Sequence, residues 1–211
     1  MSVRFDYATA AAMAARAATA ALLCAAFGVA AAASAPVSAT ARPAPATSAP
    51  VATALDRAAC DQLYSPSIGQ SGKDVVWVPT PDELVQKMLE MARTTSRDYV
   101  VDLGAGDGKI PIAAAKNFGA RALGIEYDAN MARLAQCYAR AAGVADRARI
   151  VQGDIFESNF GDATVVTMYL LPELTLRLRP RLAALRPGTR IVSNAYHLGD
   201  WGADETARLP A

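Results

Sequence analysis

The sequence predicts an α/β fold in which a mostly parallel sheet carries helices on both faces. From residue 81 onward, short apolar stretches typical of strands alternate with helical stretches, and the first strand runs into a glycine-rich loop. This alternation is typical of βαβ units, and 211 residues suffice for one such domain plus an appendage. The charges nearly cancel, with 21 Lys+Arg against 20 Asp+Glu, so general nucleic-acid binding is not expected.

The N-terminal part of the chain differs in composition from the rest. Residues 1–35 are predicted to be a signal peptide or membrane anchor, because two arginines precede an apolar run over 17–33 and small residues follow it. Residues 36–58, rich in Ala, Pro, Ser and Thr, are predicted to be a disordered linker, which leaves a folded domain over 59–211. We therefore expect an exported, periplasmic or membrane-tethered protein; a cytoplasmic protein with a disordered tail is the alternative.

The cysteines do not indicate a metal site. None of the three belongs to a CxxC pair, and their spacing fits no zinc pattern. Cys60 and Cys137 are expected to be unrelated thiols, since Cys137 falls on a helix that would pack its apolar face into the core. A disulfide between them is the alternative if the chain is exported.

The predicted elements follow one another at short intervals. A first helix is expected over Pro81–Arg93, with Thr80 as its N-cap and acidic residues in its first turn. Strands are predicted over residues 99–103, 120–127, 148–152, 163–171 and 190–196. Further helices are predicted over residues 110–117, 130–142 and 174–185.

The loop after the first strand is the main indication of function. Its glycines follow the pattern GxGxG and not the GxGxxG of dinucleotide sites. Asp102 lies two positions before Gly104, where a carboxylate repels phosphate and favours a cationic group. S-adenosylmethionine (SAM) carries an ammonium and a sulfonium but no phosphate, so Asp102, Gly104 and Gly106 are predicted to bind SAM.

Acidic residues also follow the next two strands. Glu126 ends the second strand, where a carboxylate can accept both ribose hydroxyls of a nucleoside. Asp154 follows the third strand and is expected to accept the adenine amino group, while Ile155 or Phe156 covers the ring. Ligands of open α/β sheets bind at these carboxyl ends, so the ordered set predicts one cofactor site.

The stretch 99–156 resembles motifs I to III of class I SAM-dependent methyltransferases. A closer likeness over 75–204 is to the membrane-tethered protein-lysine methyltransferases of the adenine nucleotide translocase and ATP synthase c-subunit lysine methyltransferase family, carried by VWVPT, VVDLGAGDGKIPIAAAK, GIEYD, GDIFE and GDWGAD. The resemblance implies a Rossmann-like class I methyltransferase fold, a protein lysine as methyl acceptor, and membrane association through the N-terminus. It also implies that the segment Trp77–Thr80 folds over the cofactor, which adds Thr80 to the site.

Two departures from the family pattern leave questions open. The end of the fourth strand is more aromatic than in the family and matches clearly only at Pro172, which favours a small-molecule methyltransferase as an alternative. A non-catalytic exported binding domain is the third hypothesis. A full class I sheet has two more strands than the five predicted above. The C-terminal strands are therefore expected to be missing: either the sheet is short or the chain is a fragment.

The acceptor pocket is predicted at the end of the fourth strand. Tyr169 is expected to form a wall and Glu173, next to Pro172, a polar contact or proton acceptor; the alternative makes them a strand end and a helix N-terminus. His197 is expected to be a surface loop histidine; a general base is the alternative. Trp201 either lines the channel or packs, and Lys109 is expected to be solvated.

Overall fold

The computed structural model describes residues 4–9 and 56–209. Its strands are β1 (Arg4–Thr9), β2 (Tyr99–Leu103), β3 (Arg121–Glu126), β4 (Ala148–Gln152), β5 (Val165–Met168), β6 (Arg190–Asn194) and β7 (Glu205–Arg208). Its helices are α1 (Arg57–Asp61), α2 (Asp82–Met91), α3 (Lys109–Phe118), α4 (Ala129–Ala141) and α5 (Pro172–Ala183). None of these helices is long and apolar enough to cross a bilayer, and the apolar run over 17–33 lies outside the described residues.

Within the described residues the strands form one sheet in the order β4-β3-β2-β5-β6-β1-β7. The strands from β4 to β6 run parallel, which confirms the predicted α/β class. Of the two C-terminal strands expected to be missing, the described residues contain one, β7; β1 pairs antiparallel with both β6 and β7 and brings the sheet to seven strands. The residues of β1 fall in the predicted leader, whose other residues are not described.

Helices cover both faces of this sheet, as predicted. Alternate residues of β2 point to opposite sides, so Val100 packs with α2 and α3 while Val101 packs with α5. Leu89 of α2 and Leu178 of α5 are both fully buried on these opposite faces. The central position of β2 between β3 and β5 places the glycine-rich loop that follows it at the middle of the carboxyl edge.

A disulfide joins Cys60 of α1 to Cys137 of α4, with a Cα–Cα distance of 5.6 Å. The expectation of two unrelated thiols is therefore wrong. Cys137 does lie on the buried face of α4, but α1, which sequence patterns did not predict, packs against that face and brings Cys60 to it. The hydroxyl of Tyr138 donates to Asp61, so a hydrogen bond beside the disulfide also holds α1 in place.

Candidate active site

A cleft opens at the carboxyl edge of the parallel strands. It has an empty volume of about 1090 Å³, including space open to solvent. The loop after β2, the end of β3 and the loop after β4 form its floor, and residues 70–80 form the facing wall. The three acidic positions predicted from sequence, Asp102, Glu126 and Asp154, all line this cleft.

Asp102 is the buried carboxyl of the floor, with 3% of its surface exposed. It accepts a hydrogen bond of 2.7 Å from the hydroxyl of Thr167 on β5. Burial, with smaller contributions from the nearby anions Glu126 and Asp107, raises the pKa of the Asp102 carboxyl to about 7, against the opposing hydrogen bond from Thr167. A carboxyl in this state favours a cationic partner, since a positive charge replaces the solvation that burial has removed.

Glu126 connects the end of β3 to the glycine-rich loop. Its Oε2 accepts from the backbone N–H of Gly106 at 2.7 Å, and its Oε1 accepts from the N–H of Asp128 at 2.8 Å. Burial raises the pKa of Glu126, while these backbone donors oppose the rise. A carboxylate has about four acceptor positions, so capacity remains for two ribose hydroxyls after both backbone bonds are made.

The glycines of the loop are required by backbone angle and by space. Gly104 and Gly106 have φ angles of +80° and +54°, which L side chains rarely adopt. A Cβ at Gly104 would lie 2.9 Å from Cδ2 of Leu170, and one at Gly106 would lie 2.9 Å from Nε1 of Trp77. The loop therefore approaches both the β5–α5 connection and the facing wall of the cleft.

The facing wall is a folded segment, residues 69–80, which we call the strap. Backbone hydrogen bonds from Gly69 to the carbonyl of Trp77 (2.8 Å) and from Trp77 to the carbonyl of Gln70 (2.9 Å) close it into a loop. An antiparallel bridge joins Ser71 to Val76. The resemblance implied that Trp77–Thr80 covers the cofactor; in the structure residues 70–76 line the cleft together with these four.

Thr80 lines the cleft, but it does not cap α2. The N-cap is Pro81, in an extended conformation and without a side-chain hydrogen bond, so the helix begins one residue later than predicted. The carbonyl of Thr80 instead accepts from Nζ of Lys109 at 3.1 Å, and the same ammonium lies 2.9 Å from Asp82. The expectation of a solvated Lys109 is therefore wrong, because it ties the strap to α3.

Asp154 lies at the end of the cleft next to β4, where its carboxylate accepts two hydrogen bonds. Its Oδ2 lies 2.6 Å from Nζ of Lys73 in the strap, and its Oδ1 accepts from the N–H of Phe156 at 2.8 Å. The Lys73 hydrogen bond, followed by the backbone bond, holds the pKa of Asp154 below its ordinary value. Ile155 and Phe156 line the cleft beside it. Sequence reasoning missed Lys73, since no local pattern pairs it with a residue 81 positions away.

The end of the cleft at β5 continues into a second, smaller groove. Tyr169 and Leu170 belong to both, together with three valines of the strap; Leu171 and Tyr196 belong to the groove alone. The rings of Tyr169 and Tyr196 stack with centroids 6.4 Å apart, and burial, then Tyr196, raises the pKa of Tyr169. Tyr196 is a further candidate that the sequence patterns did not identify.

The remaining candidates lie outside the cleft. Pro172 and Glu173 are exposed in the first turn of α5 and line neither groove, so their geometry matches the helix N-terminus alternative. The side chain of His197 is exposed, as expected. Trp201 packs against the core cluster that contains Leu198, which favours packing over lining the channel.

Comparisons with known proteins agree that similar chains are methyltransferases. A family described as the ANTKMT methyltransferase domain matches residues 102–205. A protein-lysine N-methyltransferase of Saccharolobus islandicus is 42% identical over 64% of this chain and 85% of its own length. The ATP synthase c-subunit lysine N-methyltransferase of Mus musculus is 30% identical, and the match covers 62% of this chain and 52% of the mouse protein.

A solved structure of similar sequence carries the product form of the cofactor. It is described as an RNA methyltransferase from Salinibacter ruber in complex with S-adenosyl-L-homocysteine. It is 47% identical, with a TM-score of 0.62, over 63% of this chain and 87% of that protein. The similar proteins are therefore all methyltransferases, but their names differ in the acceptor.

Proposed function

Since the chain belongs to the ANTKMT methyltransferase family of class I SAM-dependent enzymes, we propose that it methylates the side-chain amine of a protein lysine. The observation that carries the proposal is the groove beside the cofactor cleft. It is lined by valines, leucines and the two tyrosines 169 and 196, and none of its lining residues is charged. An aliphatic side chain ending in an amine suits such a groove, because its methylenes replace water along apolar walls.

The described residues of the cleft fit SAM. Asp102 is a buried carboxyl that favours a cation, and we assign it to the ammonium of the amino-acid part. We assign Glu126 to the ribose hydroxyls and Asp154 to the adenine amino group. The two lysines in the lining, Lys73 and Lys109, are already paired with oxygens of the protein, so they do not form a phosphate site. When bound, SAM supplies an electrophilic methyl group on a sulfonium.

The acceptor amine must be neutral when it reacts. A free lysine has a pKa of about 10.4, and transfer into an apolar groove lowers that pKa by desolvation. Tyr169, whose own pKa is raised by burial, keeps its proton at neutral pH and offers an oxygen that can accept a hydrogen bond from the amine. We infer that the lysine releases its proton to water as the groove lowers its pKa, and that the groove then positions the neutral amine in line with the methyl group, without a dedicated base.

RNA methylation is the second candidate, favoured by the similarity to the Salinibacter ruber protein. A nucleic-acid site would need cations for phosphates and planar stacking positions for bases. The two stacked tyrosines offer a surface for stacking, but no lysine or arginine lines the second groove. The charge distribution of the groove therefore supports the lysine proposal over this alternative.

The acceptor is tested by transfer of a labelled methyl group. The purified chain is incubated with radiolabelled SAM and a cell lysate, and parallel samples are treated with protease or with ribonuclease. We expect label that protease releases and that mass spectrometry locates on lysine. Label that only ribonuclease releases would support the RNA candidate, and label on small molecules would support the alternative raised by the sequence.

Leu171, directly before α5, and Leu176, within α5, provide a matched pair of substitutions that tests the groove. Leu171 lines the second groove and is 38% exposed, whereas Leu176 lies outside both grooves and is 46% exposed. Leu171→Ala should lower kcat/KM for the protein acceptor by about threefold to tenfold, since a partly buried leucine contributes about 1 kcal/mol. Leu176→Ala should behave as the wild type. Equal effects of the two substitutions would contradict an acceptor site in this groove.

We also propose that the protein is exported or tethered through its N-terminal segment. The disulfide between Cys60 and Cys137 supports this, because such bonds persist in oxidising compartments. Cleavage after the apolar run would remove β1 from the sheet, so a retained segment fits the seven strands better. Mass spectrometry of the fractionated protein tests the proposal: an intact N-terminus in the soluble cytoplasmic fraction would contradict both export and tethering.

A further inference from the structure

Lys73 lies at the tip of the strap, beyond the bridge between Ser71 and Val76. Its ammonium is 2.6 Å from Oδ2 of Asp154, which follows β4. It also lies 4.6 Å from the ring centroid of Tyr127, which follows β3, within the range of a cation–π contact. One side chain of the strap therefore reaches the ends of two adjacent strands.

Three other contacts of the strap hold its base and its middle. Lys109 binds the carbonyl of Thr80 at one end, and the amide of Gln70 donates to the hydroxyl of Tyr64 at the other. Trp77 lies against Gly106 in the middle. The tip residues 72–74 are exposed to solvent, while Val75 beside them packs against the core. Lys73 therefore adds a polar contact from the exposed part of the tip to the strand ends.

We propose that Lys73 is a positioning residue that closes the strap over the bound cofactor by its ion pair with Asp154. The proposal rests on the proposed function, because it assigns Lys73 a role in retaining the cofactor of that site. Asp154 then has two roles, since it accepts from the strap as well as from the adenine amino group. The second role stays available because each carboxylate oxygen has two acceptor positions.

The exposure of the Lys73–Asp154 ion pair fits a contact that opens and closes the strap better than a contact that stabilises the fold. The Lys73 side chain is 38% exposed and Asp154 is 17% exposed, so the pair lies at the mouth of the cleft and water competes for it. Exposed pairs contribute little to folding stability. The pKa of Lys73 is raised, first of all by its hydrogen bond to Asp154, so the pair favours the ammonium form that lysine already has at neutral pH. A weak, water-accessible pair can open to admit the cofactor and close after it.

The test measures the dissociation of S-adenosylhomocysteine by stopped-flow displacement and its Kd by calorimetry. Lys73→Met should raise the dissociation rate by about twofold to fivefold at low salt, while the melting temperature stays at the wild-type value. Lys73→Arg, which keeps the charge, should restore most of the retention. At about 1 M salt the wild type and Lys73→Met should converge, because screening weakens the ion pair. Lys116→Met, at the far end of α3, serves as the matched control.

A double-mutant cycle with Asp154→Asn separates the proposal from direct contact with the ligand. If Lys73 acts through Asp154, then Lys73→Met changes nothing further in the Asp154→Asn background. A full effect in that background would overturn the proposal, because Lys73 would then contact the ligand itself. Retention unchanged in Lys73→Met would also overturn it, whereas a wild type that binds no S-adenosylhomocysteine would contradict the proposed function instead.

Discussion

Replacing Asp102 by asparagine tests whether the ionised Asp102 carboxylate destabilises the ligand-free protein while it strengthens ligand binding. The substitution keeps the shape of the side chain and an oxygen that accepts from Thr167, whose hydroxyl donates to Oδ1 of Asp102 at 2.7 Å. It removes the ability to ionise and replaces one carboxyl oxygen by an amide NH2. Because Asp102 is buried on the floor of the cleft, the change isolates the free energy of holding a negative charge there.

The magnitude follows from the pKa of Asp102. Burial raises it from 3.8 in the ordinary carboxyl to about 7 in the folded protein, and each pKa unit corresponds to about 1.4 kcal/mol. Between about pH 4 and pH 7 the folded state therefore holds a proton that the unfolded state has lost. The contribution of Asp102 to the free energy of unfolding is fully present below about pH 4 and is lost as pH rises to about 7. The ligand-free wild type should lose about 4 kcal/mol of unfolding free energy over this range through Asp102.

Urea unfolding of the ligand-free protein between about pH 4 and pH 8 measures the effect. The unfolding free energy of Asp102→Asn, minus that of the wild type, should grow by about 4 kcal/mol from the acidic to the alkaline end. Asp162→Asn, which changes an exposed carboxylate, should follow the wild type at every pH. A difference between Asp102→Asn and the wild type that stays flat with pH would refute the reasoning.

The affinity for the ligand should show the opposite dependence on pH. The ammonium of S-adenosylhomocysteine gains from an ionised Asp102, so the wild-type affinity should increase as pH rises from about 5 to 7 and then level off. Asp102→Asn should lose this pH dependence and bind about 1.5–3 kcal/mol more weakly at pH 8. A variant that is more stable and also binds as tightly would contradict the assignment of Asp102 to the ammonium.

Three further predictions concern the loop, the ribose contact and the disulfide. Gly104→Val should abolish S-adenosylhomocysteine binding in calorimetry and leave a folded circular dichroism spectrum, since φ is +80° and a Cβ would lie 2.9 Å from Leu170; normal binding would contradict the loop geometry. Glu126→Ala should weaken the same binding by about 1.5–3 kcal/mol, and unchanged affinity would remove Glu126 from the site. Replacing Cys60 and Cys137 by serine should lower the free energy of unfolding in denaturant by about 2–4 kcal/mol, because the bond closes a loop across 77 positions; an unchanged midpoint would show that the bond adds no stability.

The sequence alone was enough to predict the floor of the cleft. The bounds of β2 and β4 agree with the prediction residue for residue, because buried apolar runs that end at glycine or an acidic residue are local signals. Asp102, Glu126 and Asp154 could be placed together without a structure, since the carboxyl ends of parallel strands meet at one edge. Their shared lining of one cleft follows from strand direction alone.

Tertiary structure decided everything that depends on a distant partner. Lys73 meets Asp154 across 81 positions and Cys60 meets Cys137 across 77, and no local periodicity specifies which remote residue will lie opposite. The sixth position of the sheet was likewise decided by β1, which comes from the other end of the chain and lies between β6 and β7. Thr80 shows the same limit at close range, because its sequence pattern suited an N-cap, whereas in the structure Pro81 is the N-cap and the Thr80 carbonyl accepts from Lys109. Local propensities define the elements, but the free energy of packing them selects which distant side chains complete the site.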